Sequence, residues 1–240
     1  MPFTQQTINF LVENRLNDSR EWFRAHHAEY QQHVITPLAE LVRDLTPCMQ
    51  AIDPEFVTEP RVDRTISRIW RDTRYTKDPS LYRDNMWIIF KRSRMHGTEY
   101  PGIYFEIAPD GFNYGGGFYN ASASFMEKLR EKIVSGDKLA GKALKAFRVQ
   151  DVFALEGERY KRAHYPGESA GKREWLERKN VCLIAESTDM ELLFSDGLAA
   201  KLEEDFRKIA PVYELFLKAA QEDAAEQAWN PVTMDLLGRE

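Results

Sequence analysis

Cysteine is scarce: the chain has two in 240 residues, Cys48 and Cys182, far apart. That excludes a disulfide framework and a cysteine-built metal site, and it predicts reduced thiols in a reducing compartment, most simply the cytoplasm. Long apolar runs are missing as well. The longest, Met86 to Phe90 and Val181 to Ala185, fall far short of the roughly 20 residues a membrane-spanning helix needs. The opening MPFTQQTINF has neither the basic start nor the apolar centre of a secretory signal. No P-loop lysine, GxGxxG spacing, zinc-ligand spacing, RNP motif or helix-turn-helix signature occurs. Internal repeats and low-complexity tracts are absent too. The sequence therefore names no reaction, no metal and no cofactor.

The composition that remains, 43% hydrophobic and 30% charged, is that of an ordinary globular chain, and it predicts a single domain over 1–240. The formal charge of -5 and pI near 5.7 disfavour a protein that coats nucleic acid, because such binding needs a broad basic surface. Charge is nonetheless segregated. Between Arg61 and Arg94, RVDRTISRIWRDTRYTKDPSLYRDNMWIIFKRSR, ten basic residues meet four acids, a net +6 that leaves -11 for the rest.

Read from the start, Thr4 caps a first helix with Ile8, Leu11 and Val12 inward, and Asn17-Asp18 breaks it. A second helix from Ser19 carries Phe23, His27, Tyr30 and Val34 on one face, and Pro37 kinks or restarts it. Leu38, Leu41, Val42 and Leu45 continue the pattern until Pro47 and Asp53-Pro54 stop it, so the portion about 1–55 is helical. The period then changes. MWIIF, GIYFEI and GFNYGGGFY read as consecutive strands, and the Pro109-Asp110-Gly111 turn between the last two permits only a hairpin. Ser122 or Ser124 caps a helix with Phe125, Leu129 and Ile133 buried, the second serine with Glu127 in capping-box position, and a short helix follows over 139–147. VCLIAES suits a buried strand of the same sheet. From Ser195 one long helix carries Leu198, Leu202, Phe206, Ile209, Tyr213 and Phe216 on a single face, with an acidic opposite side directed at the basic stretches. The fold class expected is α+β: a mainly antiparallel sheet packed with N-terminal helices and a long C-terminal helix.

The basic stretch carries the functional expectation. Arg68, Arg71, Arg74 and Lys77, with Arg83 helping and Asp72 among them, form an arginine-rich set whose planar forked donors match phosphate or carboxylate oxygens. The competing reading is a salt-bridge network, since half-buried arginines need carboxylate partners and the acidic C-terminal helix can supply them. Asp72 leads Asp63, Asp78 and Asp84 as a general-base candidate because arginine neighbours favour its ionised form. Trp70, Tyr75 and Trp87 amid the cations can stack on bases or pack in the core. Gly115-Gly116-Gly117 is either an anion-cradling loop or, by preference, a place where another backbone packs close. His26, His27 and His33 lack the companions of a zinc site, and His164, among cations in RYKRAHYPG, is the better acid-base candidate.

RIWRDTRYTKDPSLYR resembles the Arg-aromatic-Arg-Asp-x-Arg-aromatic-Ser-Lys-Asp core of the uncharacterised family catalogued as domain of unknown function 2461. NRLNDSREWF, GGGFYNASASFMEKLREKI and RYKRAHYPG are similar to further segments of that family, so the resemblance extends over most of the chain. The sequence departs from it at Asp78 to Arg83, where the family carries a Lys-x-Pro-Tyr-Lys type segment. The resemblance implies a mixed α and β single-domain fold and no chemistry. Two functions follow: binding of a small phosphate- or carboxylate-bearing ligand at the arginine-rich set, with turnover neither required nor indicated, or a non-catalytic scaffold docking that set on an acidic surface of a partner protein.

Overall fold

Thr4 ends the extended start with φ -137° and opens helix α1 (Gln5–Asn17), its N–H donating to the Thr7 hydroxyl. Asp18 closes α1 in the left-handed region (φ 44°), a conformation a short acidic side chain tolerates. Ser19 caps α2 (Arg20–Ala25) by accepting the Trp22 N–H. Then come α3 (His27–Tyr30), a π-helical turn (Gln31–Ile35) and α4 (Thr36–Ile52). Phe23, Tyr30 and Val34 are buried as the periodicity predicts, whereas His27, expected on the same face, is exposed. Pro37 explains the π-turn: its ring crowds the carbonyl four residues back, that of His33, which instead accepts the Thr7 hydroxyl at 2.7 Å. Pro47 does not stop α4. The helix runs through it to Ile52, with Asp53 as its C-cap, because Leu45, Cys48 and Met49 around the proline are all buried.

The strands are β1 (Met86–Lys91), β2 (Gly102–Ala108), β3 (Gly111–Gly117), β4 (Ala154–Glu156) and β5 (Cys182–Ser187). They form one sheet in the order β1-β2-β3-β5-β4, with β4 antiparallel to β5 through the register Leu155 to Leu183. Residues 65–67 add a rung on β1, Ser67 N–H to the Trp87 carbonyl and Ile89 N–H to that of Thr65. Helices α5 (Ala123–Ser135), α6 (Lys138–Val149), α7 (Ala170–Leu176), α8 (Met190–Leu193) and α9 (Leu198–Trp229) complete the α+β fold. Ser122, not Ser124, is the N-cap of α5, accepting the Phe125 N–H at 3.0 Å. The α9 stripe from Leu198 to Phe216 is buried at every predicted position.

The structure, a computed structural model, describes residues 3–72, 78–92, 95, 97–118 and 120–229. Those described residues divide into two compact units, one falling within 1–95, 103–115 and 185–207 and the other within 96–102, 116–184 and 208–229. The first has a core of Leu11, Val34, Leu38, Val42, Ile66, Ile88, Phe105 and Phe206. In the second, Phe125, Leu129, Trp175, Leu176 and Phe216 are buried, and Phe216 meets Phe125 and Trp175 edge-on. There the acids of α9 answer lysines: Glu214 pairs with Lys142 and Glu222 with Lys132. Among the described residues no helix is long and apolar enough to cross a membrane.

Candidate functional site

The arginine-rich stretch closes on itself through one short antiparallel rung. The Arg71 N–H donates to the Leu81 carbonyl and the Arg83 N–H to the Ile69 carbonyl, both at 2.9 Å, so Trp70 and Tyr82 face each other between the two bonds. In such a non-hydrogen-bonded pair the side chains approach closely. The two ring centroids are 4.3 Å apart. Asp18, turned outward by its left-handed backbone, accepts the N–H groups of Leu81 (2.8 Å) and Tyr82 (3.1 Å), which ties the rung to the end of α1.

Because side chains alternate along an extended segment, Arg71 leaves the rung away from Trp70. Its Nη2 lies 3.3 Å from Asp78, and its Nε is buried without a hydrogen-bond partner among the described residues. Asp78 also accepts Arg15 Nη2 at 2.9 Å and both the hydroxyl and the N–H of Ser80. The Ser80 hydroxyl and N–H, then Arg15 and Arg71, hold the Asp78 carboxyl below its ordinary range. Arg68 pairs with Asp63 in an exposed contact, and Arg83 stacks its guanidinium 4.5 Å from the Trp87 ring centre. Asp72 has an interaction of its own. Arg74, Lys77 and Tyr75 lie outside the described residues. The structure thus brings Arg71 onto Asp78 and Arg15, while Arg68 and Arg83 go to separate partners.

On the Trp70 side the chain opens a cleft that sequence reasoning did not name. Arg20, Phe23, Arg24 and Trp70 line a cavity of about 390 Å³. Arg20 and Arg24 are exposed, one turn apart on α2, and among the described residues no carboxylate lies within ion-pair distance of either. Trp70 is 39% exposed, whereas Tyr82 behind it is fully buried and its hydroxyl has no hydrogen-bond partner among the described residues. Burial raises the Tyr82 pKa, while Arg20 and Arg24 act on that hydroxyl in the opposite sense, which places both guanidiniums within its electrostatic reach. The available signal was the pair of arginines four apart, a like-charge spacing that costs an isolated helix a few tenths of a kcal/mol.

The remaining candidates have other partners. His26 stacks on Trp22 at 4.0 Å and shares a 2.8 Å hydrogen bond between Nδ1 and the Trp22 carbonyl. His164 stacks on Tyr160 at 4.1 Å, and its backbone N–H donates to Glu177. A Cβ at Gly117 would stand 3.1 Å from the Cys182 Cα, so the glycine run ends where another backbone packs close. Among the described residues no three His, Cys, Asp or Glu side chains gather at metal-binding distance.

Asp78 supplies a pH prediction. Its folded pKa is lowered, so its contribution to stability is complete above the unfolded carboxylate pKa of about 3.9 and is lost as pH falls through the lower folded value. Asp78→Asn should therefore flatten the acid limb of a melting-temperature profile recorded from about pH 5 down to about pH 2. An unchanged limb would show that the carboxylate gains nothing from Ser80 and the two arginines.

No curated protein matches the chain. A family model does match it over residues 6–215, a span that contains α2 with Arg20 and Arg24, the basic stretch 61–94 and every strand of the sheet. The chain belongs to the family described as conserved hypothetical protein (DUF2461).

Proposed function

We propose that this protein binds a small phosphate- or carboxylate-bearing ligand at the arginine-rich face of its first unit, with the anion seated between Arg20 and Arg24. One observation carries the reading: these two guanidiniums share a cleft with Trp70 and have no carboxylate in reach among the described residues, whereas Arg68 and Arg71 already face Asp63 and Asp78. Guanidinium forks supply paired donors to an oxyanion, and the Trp70 and Phe23 rings supply an apolar wall for the body that carries it. The Tyr82 ring, fully buried behind Trp70, holds that wall in place, and its hydroxyl has no hydrogen-bond partner among the described residues. The unpaired thiols Cys48 and Cys182 support a reducing compartment such as the cytoplasm as the place of action.

The test is a thermal melt across phosphate and sulfate concentrations at fixed ionic strength, which separates specific binding from screening. A ligand that binds only the native state at about 100 times its Kd adds about 2.7 kcal/mol. Arg24→Ala should abolish that response while changing basal stability by less than about 0.5 kcal/mol, because the side chain is exposed. A parent protein indifferent to both anions, or an Arg24→Ala response equal to the parent's, would overturn the reading. Indifference to small anions together with capture of a polyanionic protein surface would favour the scaffold function instead.

A further inference from the structure

The second unit holds an unanswered charge of a different kind. Arg130 on α5 is 9% exposed, and its hydrogen-bond partners are all neutral: Nε donates to the Leu176 carbonyl at 3.2 Å, and Nη2 to the Arg178 carbonyl at 2.6 Å and the Tyr160 hydroxyl at 3.1 Å. The guanidinium also lies 5.4 Å from the centre of the Tyr160 ring. A charge taken out of water is normally matched by a carboxylate, since neutral acceptors recover only part of its lost hydration. Here none lies within ion-pair distance among the described residues. Glu127, three residues earlier on the same helix and so a surface neighbour, is the natural partner, but Arg130 has turned inward to the carbonyls. Glu127 stays exposed, also without an ion pair among the described residues.

Both side chains line one cavity of about 490 Å³, within the range of small-molecule sites. Its other charged members, Glu158 and Lys179, pair with each other and cancel. Donors converge on the Arg130 side. Nη1 of Arg130 has no protein acceptor among the described residues, and neither has the proton of the Tyr160 hydroxyl, whose oxygen receives Arg130. Asn180 uses its Oδ1 on the Glu158 N–H at 2.9 Å, leaving its amide N–H groups to the cavity. The opposite side offers one acceptor charge, Glu127. A dianion would suit the donors but would meet Glu127, whereas a ligand carrying both charges suits both sides.

We propose that this cavity is a second ligand site, taking a small amino-acid-like zwitterion with its carboxylate on Arg130 and Tyr160 and its ammonium group on Glu127. The site is independent of the Arg20–Arg24 cleft and of the reading given to it. Titration calorimetry and ligand-observed NMR with the common L-amino acids, on the full chain, should find at least one that binds with a Kd of about 1 mM or tighter. Acetate and methylammonium, each carrying one of the two charges, should bind at least about tenfold more weakly. Glu127→Gln, at an exposed position, should fold as the parent does and weaken amino-acid binding about tenfold or more while leaving acetate unaffected. Tyr160→Phe should weaken both. Arg24→Ala should weaken neither, which separates this site from the other cleft. No binding across the amino acids, acetate binding as tight as theirs, or undiminished binding in Glu127→Gln would each overturn the proposal.

Discussion

Replacing Arg92 by alanine is expected to cost about 3 to 5 kcal/mol of folding stability, the loss typical of breaking a buried ion pair from one side. The reason lies at the end of α4. Its C-cap, Asp53, has a side chain 1% exposed, and Arg92 grips it in fork geometry, Nε to Oδ2 at 2.7 Å and Nη2 to Oδ1 at 2.9 Å. Asp53 Oδ1 also accepts the Glu55 N–H, and Arg92 Nη1 reaches the Glu55 carboxylate at 2.8 Å. One guanidinium thus joins the end of a helix to the residue after β1. Alanine would leave the buried carboxylate without that cation. Lysine should recover only part of the loss, because an ammonium cannot make the paired parallel contact. Asp53→Leu combined with Arg92→Met should recover most of it, since a buried pair can often be exchanged for apolar side chains at little cost. Urea midpoints of the four proteins decide the matter, and an Arg92→Ala midpoint equal to the parent's would show that the pair is energetically idle.

This pair also shows what the basic stretch does at its far end. Arg92 belongs to the net +6 segment, yet its partner lies at the end of the N-terminal helices, 39 residues away. Arg61, Arg64, Arg68, Arg71 and Arg92 of the segment find Glu59, Asp63, Asp78 and Asp53, while Arg83 lies over the Trp87 ring. At Asp78 and Asp53 the salt-bridge reading fits what is observed. Nothing in composition could separate the two readings, because both need arginines and both tolerate carboxylates nearby.

Elements set by a local period were legible. The hydroxyls of Thr4 and Ser19 mark helix starts, the glycine and proline turns bound the strands, and a stripe repeating every three or four residues defines α9. What local pattern could not show was tertiary in origin. Pro47 reads as a stop, but burial of Leu45, Cys48 and Met49 carries α4 past it. His27 falls on the apolar period and is exposed because the helix is interrupted at His26 (φ -103°, ψ 17°), between Phe23 and His27, so the period does not run through unbroken. Arg20 and Arg24 look like ordinary solvated helix charges until the Trp70–Tyr82 rung, held by Asp18 across 63 and 64 residues, is brought beside them. Arg130 flanks the Phe125, Leu129 and Ile133 stripe and reads as surface. Only the carbonyls of Leu176 and Arg178, 46 and 48 residues on, make it a buried cation.

Phe206→Ala tests the part of the fold that was most legible, and it should cost about 3 to 5 kcal/mol, the range for truncating a buried phenylalanine. The ring is 1% exposed in the first unit and meets Tyr114 of β3 edge-on, with centroids 5.7 Å apart and planes at 88°. Tyr114 in turn donates its hydroxyl at 2.7 Å to Asp205, which is fully buried and also accepts Lys201 Nζ at 2.5 Å. Truncation therefore removes apolar area and leaves a hole beside a polar network whose members have little room to move, so collapse into the space is opposed. Leu16→Ala on α1 is the matched control: that side chain is 78% exposed, and its loss should stay within about 0.5 kcal/mol. Denaturant midpoints of the two variants, recorded with the slope, give the comparison. A Phe206→Ala midpoint no lower than that of Leu16→Ala would mean that the α9 stripe does not carry the core of its unit.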